Sequence, residues 1–322
     1  MKAVLCREFG PPSALVLGET PAPKPGRGEV LIRVEAAAVN FPDTLIIQGK
    51  YQAKPPLPFP PGGEVAGRVE ALGEGLDGPA PGTRVLAMTG HGGFAELAVA
   101  PAGNIVVLPD DIDAVPAAAL SYAYGTVLHA LQDRAALRPG ETVLVLGAAG
   151  GAGMAAVQVA KLMGARVIAA ASPAKHAACR EAGADAVVDY TAEHWREELK
   201  TLAADGVEVV FDAVGGPYAE PSLRSIAWGG RYLVVGFASG DIPRIPLNLT
   251  LLKGCAILGV FYGAHVKRDP EGNRALMARL FDWIRSGALK PAIAQAWPLE
   301  RAPEALELLL ARKVTGKIVL RI

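Results

Sequence analysis

The stretch "TVLVLGAAGGAGMAAVQVA", residues 142–160, constrains the fold more than any other part of the chain. An apolar, valine-rich run meets a cluster of glycine and alanine and passes straight into helix-forming residues. The segment is uncharged and about long enough to cross a bilayer, and it holds a GxxxG from Gly147 to Gly151. Its glycines lie mid-segment, however, and turn signals bound it, so a strand, a tight turn and a helix fit it better than one membrane helix. The chain beyond it keeps up the same alternation. Strand "RVIAAA", helix "PAKHAACREAG", strand "AVVDY", helix "AEHWREELKTLA", strand "VEVVFDAVG", helix "YAEPSLRSIAW" and strand "GRYLVVGFA" succeed one another. That order predicts an α/β fold with a parallel, doubly wound Rossmann sheet.

The flanking regions read differently. Before residue 113 the chain is β-rich: "EVLIRVEAAAVN" and "GGEVAGRVEALGEGL" alternate apolar and polar positions, with a turn expected at "NFPD" and glycines marking bulges or bends. "KPPLPFPPGG" is too rich in proline for a central strand or a helix interior and reads as an ordered loop. "DAVPAAALSYAYGTVLHALQDRAAL" reads as a helix, and two amphipathic helices and a closing strand, "GKIVLRI", come after residue 265. A chain of 322 residues exceeds one ordinary core, so two domains are expected. Lys+Arg and Asp+Glu balance at 32 each, which argues against a nucleic-acid or anionic-membrane surface. The three cysteines are widely spaced, as in a protein of the reducing cytoplasm without a disulfide scaffold. The opening "MKAVLCREFG" reaches Arg7 and Glu8 before any apolar run, so no signal peptide is expected.

Within the glycine turn, Gly150, Gly151 and Gly153 have the spacing of the later glycines of a dinucleotide fingerprint, and Ala148 stands where its first glycine would be. A pyrophosphate seated on backbone N–H groups at a helix N-terminus needs such small residues. In NAD sites an acid at the end of the second strand binds the ribose 2′-hydroxyl. Here that position falls near Ala171 and Ser172, and residues 142–180 contain no Asp or Glu. Ser172 offers a hydroxyl and Lys175 a positive charge, so the residues predict NADPH rather than NADH. His176 reads as a surface residue.

With "AAAVNFPDTLIIQGKY", "PPGGEVAGRVEALGEG", "AYGTVLHAL", "AAGGAGMAAVQVAKLMGA", "EAGADAVVDY", "VVFDAVGG" and "GKIVL" in view, the whole chain resembles the quinone oxidoreductase branch of the zinc-independent medium-chain dehydrogenase/reductase superfamily. The resemblance implies a GroES-like β domain over residues 1–122, a Rossmann NADPH-binding domain over 123–264, and a return to the first domain over 265–322. Zinc members carry Cys where this chain has Asn40 and a His-Glu pair where it has Gly63-Glu64, and the structural zinc lobe is absent. His91, in "TGHGGFAE", reads as a turn residue. No metal is expected. Without a Lewis acid, the acceptor must already be electron-poor: a quinone or a conjugated carbonyl.

By resemblance, Gly150, Gly151, Ala152, Gly153 and Met154 hold the pyrophosphate, Ser172 and Lys175 face the 2′-phosphate, and Tyr190 lies near the adenosine. Thr126 and Lys317 take positions close to the cofactor. Val214 and Gly236, Phe237 and Ala238 line the strand ends, and Phe261 forms a wall. Asn40, Asp43 and Tyr51 are the polar groups expected at the substrate: Asn40 as an amide donor, Tyr51 as a hydrogen-bond or proton donor, Asp43 as a loop holder. A homodimer is implied, with "AILGVFYG" as an edge strand needing cover. The rival functions are reduction of α,β-unsaturated carbonyls or enoyl thioesters, and a non-catalytic NADPH-binding redox sensor.

Overall fold

The computed structural model describes all 322 residues. The chain forms two compact units, Met1–Tyr122 with Gly263–Ile322, and Ala123–Tyr262. No helix is long and apolar enough to cross a membrane.

In the second unit six strands make one parallel sheet. Across it they run Ala186–Val188, Arg166–Ala170, Thr142–Leu146, Val207–Asp212, Ile226–Val234 and Ala256–Gly259. In chain order this is third, second, first, fourth, fifth, sixth, the doubly wound arrangement. The central strands carry near-continuous apolar runs because helices cover both faces; Val143, Leu144, Val145 and Leu146 are all fully buried. The order reverses between Thr142–Leu146 and Val207–Asp212, so a crevice for ligand is expected outside the carboxyl ends of those two strands. One expectation needs correction. "YAEPSLRSIAW" is helical only over Ala219–Arg224; the next strand already begins at Ile226, which pairs with Val207. The register then shifts before Val209 meets Arg231, and Gly229, at φ 73°, lies in the irregularity.

In the first unit a seven-stranded sheet runs Ile293–Pro298, Lys317–Arg321, Glu29–Val39, Glu64–Leu72, Arg84–Met88 and Ile105–Val107, with Leu97–Pro101 also pairing Glu29–Val39. A separate hairpin joins Lys2–Leu5 to Val16–Glu19. The closing strand is antiparallel to Glu29–Val39 with Ile318 opposite Val39, and Val65 lies opposite Ala37. These two registers set Lys317, Asn40 and Glu64 at neighbouring strand ends. "NFPD" is not a simple turn: Phe41–Ile46 is a short helix with Asn40 at its N-cap. Pro42 falls in its first turn, where the missing N–H costs nothing. The stretch after Asp113 starts as an α-helix, Ala114–Ala118, but residues 120–125 and 129–134 adopt wider π-type turns on either side of Thr126–Leu128. Single-residue periodicity does not foretell such turns, which recur at functional positions.

Candidate functional site

The second unit builds a cradle at its topological switch point. Strand Thr142–Leu146 ends at Gly147, whose φ of 65° suits glycine, and a Cβ there would lie 2.7 Å from Val214 Cγ2. Gly150 caps the helix Gly151–Leu162 and is exposed, so the leading N–H groups of that helix face outward without intrahelical partners. Gly153 has a different task. It is buried, and a Cβ on it would lie 2.7 Å from Ala148 Cα, so it lets the helix press onto the turn. Met154 is also buried, and its N–H donates to Gly150 O at 2.8 Å. The expectation that Met154 holds pyrophosphate is therefore corrected: its donor is spent inside the helix.

Strand Arg166–Ala170 leads to Ser172, which precedes the one-turn segment Pro173–Lys175. Ser172 is half-buried, and burial lowers the Lys175 pKa. His176 Nε2 is bonded to Ala171 O at 2.9 Å, which holds this corner. Tyr190 packs on Tyr218 with ring centroids 4.5 Å apart. Tyr218 was not foreseen; nothing in "GGPYAE" distinguishes it until the two chain segments meet.

Across the crevice, Asp212 organises the opposite wall. Its Oδ1 accepts from Val214 N–H at 2.7 Å and Gly215 N–H at 2.8 Å, while its Oδ2 accepts from the Tyr232 hydroxyl. The sequence signal was present in "FDAVGG": an Asp followed by small residues is an Asx-type turn. Phe237 covers Gly215, where a Cβ would be 2.8 Å from Phe237 Cδ1. Gly236 and Ala238 donate to Asp212 O and Ala213 O at 3.3 Å and 3.1 Å. Val214 and residues 236–238 thus join one surface with the glycine turn. Thr126 is half-buried, and Phe261, after the edge strand, is 63% exposed.

The first unit holds a buried polar cluster. Asp43, third residue of the Phe41–Ile46 helix, reaches back to the cap: its Oδ2 accepts from Asn40 N–H at 2.7 Å, and its Oδ1 accepts from Gly63 N–H at 3.1 Å. Asn40 donates its amide hydrogens to Ala38 O at 3.2 Å and Glu64 Oε2 at 3.1 Å, and its Oδ1 accepts from Lys317 Nζ. Glu64 Oε1 accepts from Tyr122 N–H at 2.9 Å, and Lys317 Nζ stands 3.5 Å from Glu64 Oε2. The expected amide donation from Asn40 to an acceptor is corrected, since both of its N–H bonds are committed. Lys317 is buried in the first unit as counter-charge to Glu64. Burial pushes the Asp43 carboxyl up to about 7 against the opposing pull of Asn40 N–H, Lys317 and Gly63 N–H. Burial likewise raises Glu64, offset first by Lys317. Tyr51 is half-buried, and its phenol is raised by burial and then by Asp43.

Comparison with known proteins agrees with this layout. The alcohol dehydrogenase GroES-like domain matches residues 26–110, and the zinc-binding dehydrogenase family matches residues 151–280. A quinone oxidoreductase-like protein 2 homolog of Nematostella vectensis is 40% identical over 99% of this chain and 88% of its own length. The quinone oxidoreductase of Rattus norvegicus is 34% identical over 99% of this chain and 97% of its own length. The crystal structure of Escherichia coli quinone oxidoreductase complexed with NADPH superposes with a TM-score of 0.93 at 29% identity, covering 100% of both chains. Sequence motifs, doubly wound sheet and full-length relatives together assign the chain to the quinone oxidoreductase branch of the medium-chain dehydrogenase/reductase superfamily.

Proposed function

We propose that this oxidoreductase reduces quinones with NADPH, without zinc, as a homodimer. The observation that carries the reading is the buried cluster of the first unit. Asn40, Glu64 and Lys317 satisfy one another, and Gly63 offers no side chain. A zinc ion needs three or four well-placed ligands, and an ammonium beside Glu64 is a poor neighbour for a dication. These donors do not fit zinc, so an acceptor here must be electron-poor by itself.

The cradle of the second unit fits NADPH, the nucleotide bound by the Escherichia coli neighbour. Gly151 and Ala152 would present N–H groups to the pyrophosphate, while Gly150, whose own N–H donates to Gly147 O at 3.0 Å, would leave room for it, and Ser172 and Lys175 would meet the 2′-phosphate. When bound, the reduced nicotinamide supplies a hydride. Asp212 holds the 213–215 turn in shape for that ring's end of the nucleotide, and Tyr190 with Tyr218 offers an aromatic face to the adenosine end.

Loss of nicotinamide absorbance separates the readings. Purified protein, with a metal chelator present, is expected to consume NADPH with 1,4-benzoquinone and 9,10-phenanthrenequinone. Turnover only with an enal or crotonyl-CoA would move the assignment to conjugated carbonyls, and binding without any turnover would indicate a sensor. Lys175→Ala is expected to weaken NADPH about 10- to 100-fold and leave NADH unchanged, since one charge-assisted contact is worth about 1.5–3 kcal/mol. Equal loss for both nucleotides would remove Lys175 from the 2′-phosphate.

The homodimer is supported by the open edge of Ala256–Gly259. Around it Trp228 and Leu251 are each 79% exposed and Leu247 is 77% exposed, an apolar surface that a second copy would cover. Sedimentation is expected to give twice the 33.4 kDa chain mass, and Ile257→Lys to shift it to the monomer. A wild-type monomer at micromolar concentration would refute this.

A further inference from the structure

Tyr122 was not singled out by its sequence surroundings, yet it closes the polar cluster of the first unit. It sits in the π-type turn at residues 120–125, and its N–H bond to Glu64 Oε1 fixes its backbone there. Its ring lies across Gly63. A Cβ on Gly63 would come within 2.5 Å of the Tyr122 hydroxyl oxygen, 2.9 Å of Cε2 and 3.0 Å of Cζ. Gly63 does not have a positive φ, so its backbone does not demand glycine. The absent side chain makes room for a phenol.

The hydrogen bonds of the cluster show what that phenol is left to do. Both oxygens of Asp43 accept from backbone N–H groups. Both oxygens of Glu64 are engaged, by Tyr122 N–H on one side and by Asn40 and Lys317 on the other. Asn40 has spent its donors and its carbonyl oxygen. The Tyr122 hydroxyl alone among the groups packed on Gly63 has no protein partner, and the residue is only half-buried, so a ligand oxygen can meet it. Tyr51 is also half-buried, and the negative charge of Asp43 helps raise both phenols. Burial first, then Asp43, Tyr51 and Glu64, hold the Tyr122 phenol well above its usual range, so it keeps its proton through neutral pH.

We propose that the Tyr122 hydroxyl is the hydrogen-bond donor to the acceptor's carbonyl oxygen. This rests on the quinone reductase reading above. The hydride, with two electrons, would leave the nicotinamide C–H bond of NADPH and form an O–H bond at one quinone oxygen; the ring becomes aromatic and the π pair of the opposite C=O moves onto its oxygen, which becomes a phenolate. Tyr122 donates to that oxygen more strongly as charge accumulates and retains its own proton. Water supplies the proton that completes the quinol. A preorganised donor aimed at a developing oxyanion is worth about 10²-fold in rate.

Tyr122→Phe keeps the ring on Gly63 and removes only the hydroxyl. Across a series of para-quinones of graded reduction potential, kcat/KM is expected to fall about 10- to 100-fold, most for the least electron-poor acceptor. NADPH affinity, read by fluorescence, is expected to stay within about two-fold, because one first-unit hydroxyl leaves the pyrophosphate contacts intact. Gly63→Ala, which pushes the hydroxyl aside, is expected to give the same pattern. Wild-type kinetics in Tyr122→Phe, or a loss uniform across the series, would overturn the assignment. If the wild-type protein reduces none of the quinones, the function reading fails separately. Tyr122 is then judged by tryptophan quenching with 9,10-phenanthrenequinone: weaker binding by Tyr122→Phe upholds the contact, and equal binding refutes it.

Discussion

Replacing Lys317 with Met is expected to destabilise the protein by about 3–5 kcal/mol, the cost of leaving a buried charge without its partner. Methionine fills most of the volume, so the loss reports charge rather than packing. Glu64, 1% exposed, would then hold an uncompensated carboxylate whose pKa rises further. Burial fixes the sign of the pH effect. A carboxyl whose folded pKa exceeds its unfolded value, about 4.3 for Glu, contributes stability below that value and loses it as pH climbs through the folded pKa. The Lys317→Met defect is therefore largest at pH 8 and shrinks towards pH 4, and adding Glu64→Gln restores most of it. Asp43, raised to about 7, gives the wild type a gentler trend of the same sign, with stability falling as pH rises from 4 through 7. Thermal unfolding midpoints from pH 4 to pH 8 measure both. An unchanged midpoint for Lys317→Met at pH 8 would contradict the buried pair.

Gly153→Ala is expected to abolish nucleotide binding, with an affinity loss of about 100-fold or more from a displaced helix N-terminus. The added methyl would lie 2.7 Å from Ala148 Cα and 2.8 Å from Ala148 C, and closer still to the Gly147 carbonyl oxygen. All three are backbone atoms, so the turn must open, at a stability cost of about 1–3 kcal/mol. Gly150→Ala is the contrasting case. Its Cβ would meet only Gly147 O, at 3.4 Å, and its φ of −77° is allowed to alanine. Stability is expected to survive there while NADPH affinity falls, because the methyl projects to the exposed side. Calorimetric titration with NADPH beside a thermal melt distinguishes the two glycines. Equal behaviour of the two variants would show that this turn has one role, not two.

How far the sequence reached depended on the distance over which each feature is encoded. The Rossmann alternation was readable because each strand and helix carries its own periodicity, and the glycine turn because strand, turn and helix are contiguous. The first unit's sheet was readable as strands. Its registers were not, and those registers place Lys317 against Asn40 across 277 positions. For that reason Asn40 reads as a free amide in sequence and as a saturated one in the structure. Tyr122 was hidden for the same reason: its importance lies in a glycine 59 positions earlier. Local misreadings had local causes. Six residues, Phe41–Ile46, are too few to display helical periodicity. Ile226–Trp228 reads as a helix end only until Val207 claims Ile226 as its partner.

The register of the closing strand also orders events during synthesis. A ribosome that has translated as far as residue 300 has already produced every residue of the Ala123–Tyr262 unit, but not the lysine that neutralises Glu64. The Ala123–Tyr262 unit is thus complete in sequence while the other unit still lacks the partner of its buried acid.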